Sequence, residues 1–371
     1  MKIILFDDQT WDHLLPLTFT KPVSALRVGI FTIKEKWEKY LGEECEVECR
    51  DYLKEKFSNS SFSLSTSLRG TPKQTHICIN SSVLPNTDLI QQIFALSDEE
   101  ILIDNNKIIA FKSSHAINDV LASKASFKTI NCKAVSISNL WDLSLLNPSE
   151  IIKDLSLIKE KSINVKIAPS AILNEEDGPI YIGNNVTIMD GAMLRGPIAF
   201  CDGVVVKMGA KIYGGTTIGP KCTVGGEIKN SIFQGYSNKS HDGYLGNSVI
   251  GEWCNLGADT NCSNMKNTLG NIKVWSYSHN DFIDSGQRFC GVFVADYCKT
   301  AISTRLNSGT SVGIASNIFQ ERFPNKYIPN FSWENEKFEI ETVHRMNERM
   351  FGLKEEKYTD QHKKIVESLI P

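Results

Sequence analysis

A histidine and a tyrosine stand three residues apart in the run Lys239-Ser240-His241-Asp242-Gly243-Tyr244-Leu245-Gly246. Fourteen residues after His241 comes the run Asn255-Leu256-Gly257-Ala258. Imidazole is the side chain best suited to accept a proton near neutral pH, while phenol and amide groups bind polar ligands through hydrogen bonds. A lone histidine is usually only a polar loop residue, but its spacing from Tyr244 and Asn255 predicts a catalytic base.

These residues stand in a region with a six-residue repeat. Apolar residues recur in one unbroken phase at Ile182, Ile188, Leu194, Phe200, Val206, Ile212, Ile218 and Val224. Small or apolar residues follow four positions after each of them, at Val186, Ala192, Ile198, Val204, Ala210, Thr216, Cys222 and Ile228. A period of six suits a short strand plus a tight corner, three of which make one triangular coil. The repeat predicts a left-handed parallel β-helix, a three-sided prism with both sets of residues pointing into its core.

The phase of the repeat is interrupted twice. It breaks after Ile228, resumes at Ile250, and breaks again before it returns at Val294. We therefore expect two excursions from the prism, over about residues 230–249 and about residues 265–293. Long excursions from a rigid scaffold often contain functional residues.

Residues 1–160 are predicted to form a separate α/β domain. Short apolar strands at Ile3–Phe6, His76–Ile79 and Glu100–Ile103 alternate with helical segments near Ile33–Leu41 and Asp88–Leu96. This alternation is typical of a mononucleotide-binding sheet.

The domain boundary is expected between Asn147 and Pro169. Asn147-Pro148 is predicted to open a helical stretch, and the repeats become visible only after it. The β-helix then spans residues 161–332. Residues 333–371 have apolar residues at helical spacing and are predicted to form a C-terminal helical extension.

Composition and charge exclude several classes of protein. The length of 371 residues allows two domains, and a net charge of −3 without a long like-charge block predicts no nucleic-acid partner. No apolar run approaches the roughly 20 residues that span a bilayer, and Met1–Asp8 is typical of a first strand rather than of a signal peptide. The ten cysteines include no C-x-x-C pair. We expect a cytoplasmic protein with no membrane partner.

The motif around His241 resembles the acetyltransferase domain of the bacterial bifunctional N-acetylglucosamine-1-phosphate uridyltransferase/glucosamine-1-phosphate acetyltransferase family. The signature of that family is K-x-x-H-x-x-Y-L-G followed by I-G-x-x-x-N-x-G-A, and Lys239 alone is displaced here, by one position. From Leu14-Leu15-Pro16-Leu17-Thr18 onward, the whole chain looks like the Bacteroidetes-type variant, with a sugar nucleotidyltransferase domain in front. The resemblance implies acetyl-CoA as acyl donor and a homotrimer with sites between adjacent subunits.

The resemblance also implies a role for each matching residue. His241 takes a proton from the sugar amine as the amine attacks the thioester carbonyl, because an ammonium cannot attack. The other matches are Lys229 and Tyr244 to the sugar phosphate, Asn255 and Asn264 to the sugar, and Ala258 beside the thioester of acetyl-CoA. Further phosphate contacts stay open among Arg195, Lys211, Lys266 and Lys273.

The front of the chain departs from the usual sugar nucleotidyltransferase pattern, a Gly-rich loop whose Arg and Lys clamp the nucleotide phosphates. Phe6-Asp7-Asp8 is followed instead by His13-Leu14-Leu15-Pro16-Leu17-Thr18. Arg27 and Lys21 are the candidate phosphate-binding cations, and a purely structural role for Arg27 is equally open. An active domain would need Mg²⁺, for which Asp7, Asp8 and Asp104 are available although their spacing selects none. The sequence predicts no resident metal.

Other functions stay open beside the acetyltransferase. One is a sugar-1-phosphate nucleotidyltransferase that uses UTP or dTTP and keeps the β-helix for oligomerisation or binding only. A hexapeptide-repeat carbonic anhydrase would need three histidines around zinc, and the prism region has only His241 and His279. A sugar-nucleotide-binding scaffold predicts no effect of replacing His241. We favour acetyl-CoA-dependent N-acetylation of an amino-sugar 1-phosphate, with glucosamine 1-phosphate as acceptor and UDP-N-acetylglucosamine as the pathway product.

Overall fold

The computed structural model describes residues 2–58, 75–123, 127–320, 322–334 and 336–370. The chain forms two compact units. The first comprises residues 1–11, 21–26 and 31–138, and the second comprises residues 12–20, 27–30 and 139–371. Within the described ranges, no helix combines the length and the apolar character that a bilayer span requires.

The part of the chain before residue 139 contains six strands and five α-helices among its described residues. The strands are β1 Lys2–Phe6, β2 Glu46–Glu48, β3 His76–Asn80, β4 Glu100–Asp104, β5 Lys107–Ser113 and β6 Lys128–Asn131. The helices are α1 Thr10–His13, α2 Ile33–Leu41, α3 Asp51–Phe57, α4 Thr87–Phe94 and α5 Ile117–Ala122, with a 3-10 turn at Val23–Ala25. The strands and helices predicted here are confirmed, with ends that differ by at most two residues.

The six strands form one mixed sheet in the order β2-β1-β3-β5-β4-β6. Strands β1, β2 and β3 run parallel, whereas β5 runs antiparallel to both of its neighbours. β1 and β3 are short apolar runs that are almost entirely buried, as expected for strands covered on both sides. The carboxyl ends of β1 and β3 therefore lie side by side at one edge of the sheet.

The second unit is a parallel β-helix with three faces. Face A consists of β7 Lys166–Ile167, β10 Thr187–Ile188, β13 Val205–Val206, β16 Thr223–Val224, β19 Asn238–Lys239, β22 Asn255–Leu256, β27 Lys299–Thr300, β30 Asn317–Ile318, β32 Ser332–Trp333 and β33 Glu336–Lys337. Face B consists of β8 Ile172–Asn174, β11 Met193–Arg195, β14 Lys211–Ile212, β17 Glu227–Lys229, β20 Tyr244–Gly246, β23 Asn261–Cys262 and β28 Arg305–Leu306. Face C consists of β9 Ile180–Ile182, β12 Ile198–Phe200, β15 Thr216–Ile218, β18 Ile232–Gly235, β21 Val249–Glu252, β26 Phe293–Val294, β29 Ser311–Val312 and β31 Tyr327–Ile328.

The register of the first coils follows the six-residue repeat. Thr187 pairs with Val205 and Ile198 pairs with Thr216, so that each coil takes up three hexads. The two predicted sets of inward positions are buried in the core, apart from the half-buried Ile182 in the first coil. The parallel β-helix is confirmed, and the left hand of its coil stays a prediction.

The expected first excursion, at about residues 230–249, is wrong. These residues form β18, β19 and β20, which remain in the three faces of the prism. The phase breaks because the corners shorten: Thr217 pairs with Ile232, 15 positions on, and Glu227 pairs with Tyr244, 17 positions on. A coil with shorter corners loses the six-residue period without leaving the stack.

The second excursion is confirmed. Val249 pairs with Phe293, and the chain between them makes the antiparallel hairpin of β24 Lys273–Ser276 and β25 Asp281–Asp284. The predicted C-terminal helices are also present, as α7 Ile340–Gly352 and α8 Asp360–Glu367. They pack beside the prism, where the ring of Phe351 stacks on Trp253 with their centroids 3.6 Å apart.

The helix before the prism begins earlier than expected. α6 spans Leu140–Leu155, with Asn139 and Asp142 forming a capping box, so Asn147-Pro148 lies inside it and does not open it. Proline is tolerated at position 148 although it cannot donate a backbone hydrogen bond. α6 packs against face C, and the long segment of the second unit begins at Asn139 rather than near residue 160.

Candidate active site at a corner of the β-helix

His241 and Ala258 lie at the same corner of the prism, in consecutive coils. The corner joins face A to face B, because β19 precedes His241 and β20 follows it. Asn238 pairs with Asn255 and Leu245 pairs with Cys262, and both pairs are 17 positions apart. Since His241 and Ala258 have the same separation, their positions stack directly. The side chain of His241 is exposed, and Ala258 is partly buried.

A network of polar side chains lies along face B, whose strand β20 begins after this corner. The Nδ2 of Asn264 donates to the phenol oxygen of Tyr244 at 2.9 Å and to Oδ1 of Asn247 at 2.8 Å. Burial and the nearby carboxylate of Glu227 raise the pKa of Tyr244, so its phenol remains a proton donor at neutral pH. Lys229 pairs in register with Gly246 and is exposed. Its ammonium therefore lies on the outer surface of face B, as the side chain of Tyr244 does.

Asn255 occupies the other side of the corner, on face A. It is exposed and lies between Asn238 and Lys299 in the register of the face. The six predicted acetyltransferase residues are thus divided within one chain. His241 and Ala258 stand at the corner, Lys229 and Tyr244 stand on face B, Asn264 follows face B strand β23 and bonds to Tyr244, and Asn255 stands on face A.

Glu227 and Asn247 were not identified from the sequence, and Lys239 was recognised only as part of the motif, without a role. Asn247 accepts the second hydrogen bond of Asn264, and Glu227 precedes Tyr244 in the register of face B. Lys239 lies beneath the corner and donates from Nζ to the carbonyl oxygen of His241 at 2.8 Å. Only the pairing register could have revealed Glu227 and Asn247, whereas Lys239 was visible as a lysine between small and apolar repeat positions.

The four additional cations considered for phosphate contacts differ in their partners. Arg195 forms an ion pair with Asp177 and lies 3.8 Å from Glu176. Lys266 donates to the backbone carbonyl of Asn271. Lys211 and Lys273 are exposed, and Lys211 precedes Glu227 in the register of face B. Lys211 is therefore the one of the four that lies on the same face as Tyr244 and has no carboxylate partner among the described residues.

The two cations predicted for nucleotide phosphates are both buried, and they belong to different units. Lys21 belongs to the first unit and Arg27 to the second. The backbone N–H of Arg27 donates to Oε1 of Gln234 at 2.6 Å, and its guanidinium donates to the carbonyl oxygens of Gln234 and Ile30. These bonds attach residues 27–30 to face C. Phosphate binding by Arg27 and Lys21 stays a prediction.

Two carboxylates follow β1 in the first unit. Asp7 is half-buried, burial raises the pKa of its carboxyl to about 7, and the carboxyl accepts from the backbone N–H of Val23 at 3.2 Å. Asp8 accepts from Nδ2 of Asn80, at the end of β3, at 2.8 Å. No set of three or more His, Cys, Asp or Glu side chains is arranged to hold a metal in the described ranges. Mg²⁺ commonly binds through one or two carboxylates with phosphate and water as its other ligands, and Asp7 and Asp8 would fit such a site.

Comparison with known proteins finds both sugar nucleotidyl transferases and acetyltransferases among the proteins similar to this chain. Residues 3–163 match a family described as sugar nucleotidyl transferase. An uncharacterized acetyltransferase, YaiX, of Escherichia coli is 30% identical over 134 residues, which cover 35% of this chain and 58% of the relative. The bifunctional protein GlmU of Methanocaldococcus jannaschii is 26% identical over 248 residues, which cover 62% of this chain and 55% of the relative. Over part of its length, the chain is thus similar to bifunctional GlmU proteins.

A third relative has a more explicit name. The bifunctional sugar-1-phosphate nucleotidylyltransferase/acetyltransferase of Sulfurisphaera tokodaii is 29% identical over 102 residues, which cover 28% of this chain and 25% of the relative. The chain thus spans less than two thirds of the length of each of these three relatives.

Proposed function

We propose that the chain transfers an acetyl group from acetyl-CoA to the amine of an amino-sugar 1-phosphate, with glucosamine 1-phosphate as the first acceptor to test. The observation that supports this most strongly is the stacking of His241 on Ala258 at a corner with polar side chains on both adjoining faces. The similarity to bifunctional nucleotidyltransferase/acetyltransferases supports the same reaction class.

The exposed imidazole of His241 is the base in this proposal. It takes a proton from the sugar amine, whose lone pair attacks the carbonyl carbon of the thioester. The carbon–sulfur bond then breaks, and coenzyme A leaves as a thiol after its thiolate takes up a proton. Ala258 presents only a methyl group at the next corner, which leaves space for a thioester beside His241.

The polar residues hold the acceptor. Lys229 and the phenol of Tyr244 bind the phosphate oxygens, because an ammonium and a phenol O–H are both donors. Asn264, already oriented by Asn247, and Asn255 bind the sugar through their amides. Since these groups lie on two faces of one prism, we propose that a parallel homotrimer in the cytoplasm completes each site with a neighbouring subunit.

A second activity in the same chain is supported by the match of residues 3–163 to sugar nucleotidyl transferases. In this proposal the first unit transfers a nucleotidyl group from UTP or dTTP to a sugar 1-phosphate. Mg²⁺ bound by Asp7 and Asp8 would neutralise charge on the triphosphate. With UTP, the two activities together would produce UDP-N-acetylglucosamine.

The decisive experiment measures thiol release from acetyl-CoA with glucosamine 1-phosphate as acceptor. We expect His241→Ala to lower kcat by ~10²- to 10⁴-fold, the usual contribution of a general base. His279→Ala is the matched control, because this histidine lies in the second excursion and bonds to Ser276; it should keep wild-type activity. Equal activity of His241→Ala and wild type would show that His241 is not the catalytic base.

A parallel assay follows pyrophosphate release from UTP and a sugar 1-phosphate in the presence of Mg²⁺. Pyrophosphate release without any acetyl transfer by the wild-type protein would leave the nucleotidyltransferase as the function and the prism as an oligomerisation or binding element. Acetyl transfer without pyrophosphate release would leave the acetyltransferase alone.

A further inference from the structure

One lysine lies inside the β-helix core. Lys239 pairs in register with Val224 and stacks beneath Leu256, both of which are core residues, and its side chain is 1% exposed. Burial lowers the pKa of its ammonium, and Asp242 and Asp259 partly oppose that change. Lysine is almost never fully buried without a partner, because a buried charge is costly.

The apolar neighbours make this lysine unnecessary for packing. An aliphatic side chain such as those of Val224 and Leu256 would fill an inward position without burying a charge, as the other coils of the prism show. Replacing a buried charged group by an apolar one of similar volume is often neutral or stabilising. The lysine therefore calls for an explanation other than the stability of the core.

Its hydrogen bond supplies that explanation. Among the described residues, the Lys239 ammonium has one hydrogen-bond acceptor, the carbonyl oxygen of His241, at 2.8 Å. This bond pulls the carbonyl of His241 toward the core while the imidazole remains exposed on the outside. Two residues further on, Gly243 has a φ of 118°, a conformation that other residues rarely adopt.

We infer that Lys239 is a positioning residue that fixes the backbone of His241 from inside the prism and so orients the imidazole toward the amine of the acceptor. This inference rests on the proposed function, because it assigns Lys239 a role through His241. Lys239 itself touches no substrate.

The test is the Lys239→Met variant in the full-length protein, assayed for acetyl transfer and for thermal unfolding. Methionine keeps the length of the side chain and removes the ammonium. We expect kcat to fall about 10-fold or more, because small misplacements of a catalytic group are costly, while KM for both substrates stays within about twofold and Tm is unchanged or higher. Lower activity in an equally stable or more stable protein is a combination that loss of core packing would not produce.

Lys354→Met is the matched control. Burial also lowers the pKa of Lys354, and its ammonium donates to the carbonyl of Lys221 at 2.7 Å and to Oδ1 of Asn238 at 2.8 Å, so the variant removes similar bonds without touching the carbonyl of His241. Its kcat should equal that of the wild type. A Lys239→Met enzyme with wild-type kcat, or with losses of kcat and Tm no different from those of Lys354→Met, overturns the inference.

Amide hydrogen exchange at Ser240–Gly243 separates this inference from the proposed function. In Lys239→Met these amides should exchange at least several-fold faster than in the wild type, whereas in Lys354→Met their exchange rate should be unchanged. Hydrogen exchange can be measured whether or not the protein is active. If the wild-type protein transfers no acetyl group, the proposed function is refuted, but the effect of Lys239 on the backbone of the corner can still be measured. Unchanged exchange in Lys239→Met refutes the positioning role.

Discussion

At the scale of single residues, the phenol of Tyr244 is part of the hydrogen-bonded network with Asn264 and Asn247. Its oxygen accepts from Asn264, which leaves its own O–H available to a ligand. The donor and acceptor of this one group therefore serve different partners, and removal of the hydroxyl affects both the ligand and the position of Asn264.

We predict that Tyr244→Phe raises KM for the amino-sugar phosphate about fivefold and leaves kcat within about twofold, since one hydrogen bond contributes about 1 kcal/mol. Steady-state kinetics with varied acceptor measure both constants. Tyr358→Phe is the matched control, because Tyr358 also accepts from an asparagine, Asn347, at 3.4 Å, but in the C-terminal segment. An unchanged KM in Tyr244→Phe would remove Tyr244 from the acceptor site.

The raised pKa of Asp7 should make the stability of the protein depend on pH. Burial raises the pKa of its carboxyl from 3.8 to about 7. Between about pH 4 and pH 7 the folded protein therefore binds more protons at this group than the unfolded chain, and this group lowers the free energy of unfolding as pH rises through that window. Above pH 7 the loss is complete.

We predict that Asp7→Asn gains stability over the wild type as pH rises from 4 to 7, by on the order of 1 kcal/mol or more, and that the difference is then constant. Urea unfolding at a series of pH values measures it. Parallel curves for the two proteins across this window would contradict the burial of the carboxylate.

At the scale of elements, the C-terminal helices are attached to the prism through aromatic stacking. Phe351 of α7 is buried, stacks on Trp253 of the prism, and lies 5.1 Å from the ring of Tyr358. Lys221 and Glu356 add an ion pair of 2.6 Å at half-exposed positions, which contributes little compared with the buried rings.

Phe351→Ala should therefore destabilise the attachment by about 3 to 5 kcal/mol, the usual cost of deleting a buried aromatic ring. Hydrogen exchange across α7 and α8 tests this, with faster exchange expected there and unchanged exchange in the prism. Leu353→Ala, two residues further on and 79% exposed, should change nothing measurable. Similar effects of the two substitutions would show that the stacking does not hold the helices.

At the scale of the whole molecule, the second unit includes segments from near the start of the chain. The N–H of Gly29 donates to Oδ1 of the buried Asn147 at 2.7 Å, and Thr217 donates to the carbonyl of Gly29 at 2.9 Å. Residues 27–30 thus satisfy polar groups of α6 and face C. The unit that ends at residue 371 cannot be complete if it begins at residue 139.

We predict that residues 139–371 expressed alone unfold at a lower temperature than the full chain or are insoluble. Without residues 27–30, buried polar groups such as that of Asn147 lose their hydrogen-bond partners, and each unsatisfied group costs about 1 to 3 kcal/mol. Thermal unfolding measures the difference, and co-expression of residues 1–138 should restore a soluble protein. A fragment 139–371 with the Tm of the full chain would contradict the assignment of residues 12–20 and 27–30 to this unit.

The sequence by itself determined the prism and the alternating strands and helices in front of it. The six-residue period is a local property, because each coil requires inward apolar side chains at fixed positions, and the same holds for the apolar runs of β1 and β3. The motif of His241 and Tyr244 was likewise visible without any structure. Helix α7 followed from the spacing of Val343, Met346 and Met350.

Only the tertiary structure decided which residues meet. Coils of 15 and 17 residues keep the chain in the stack where the period fails, and the stacking of His241 on Ala258 depends on those corner lengths. The partners of Arg27, the place of Asn147 inside α6, and the bond from Lys239 to His241 depend on pairing between distant segments. Such pairings are set by register and burial summed over the whole unit, which a local pattern of residues does not encode.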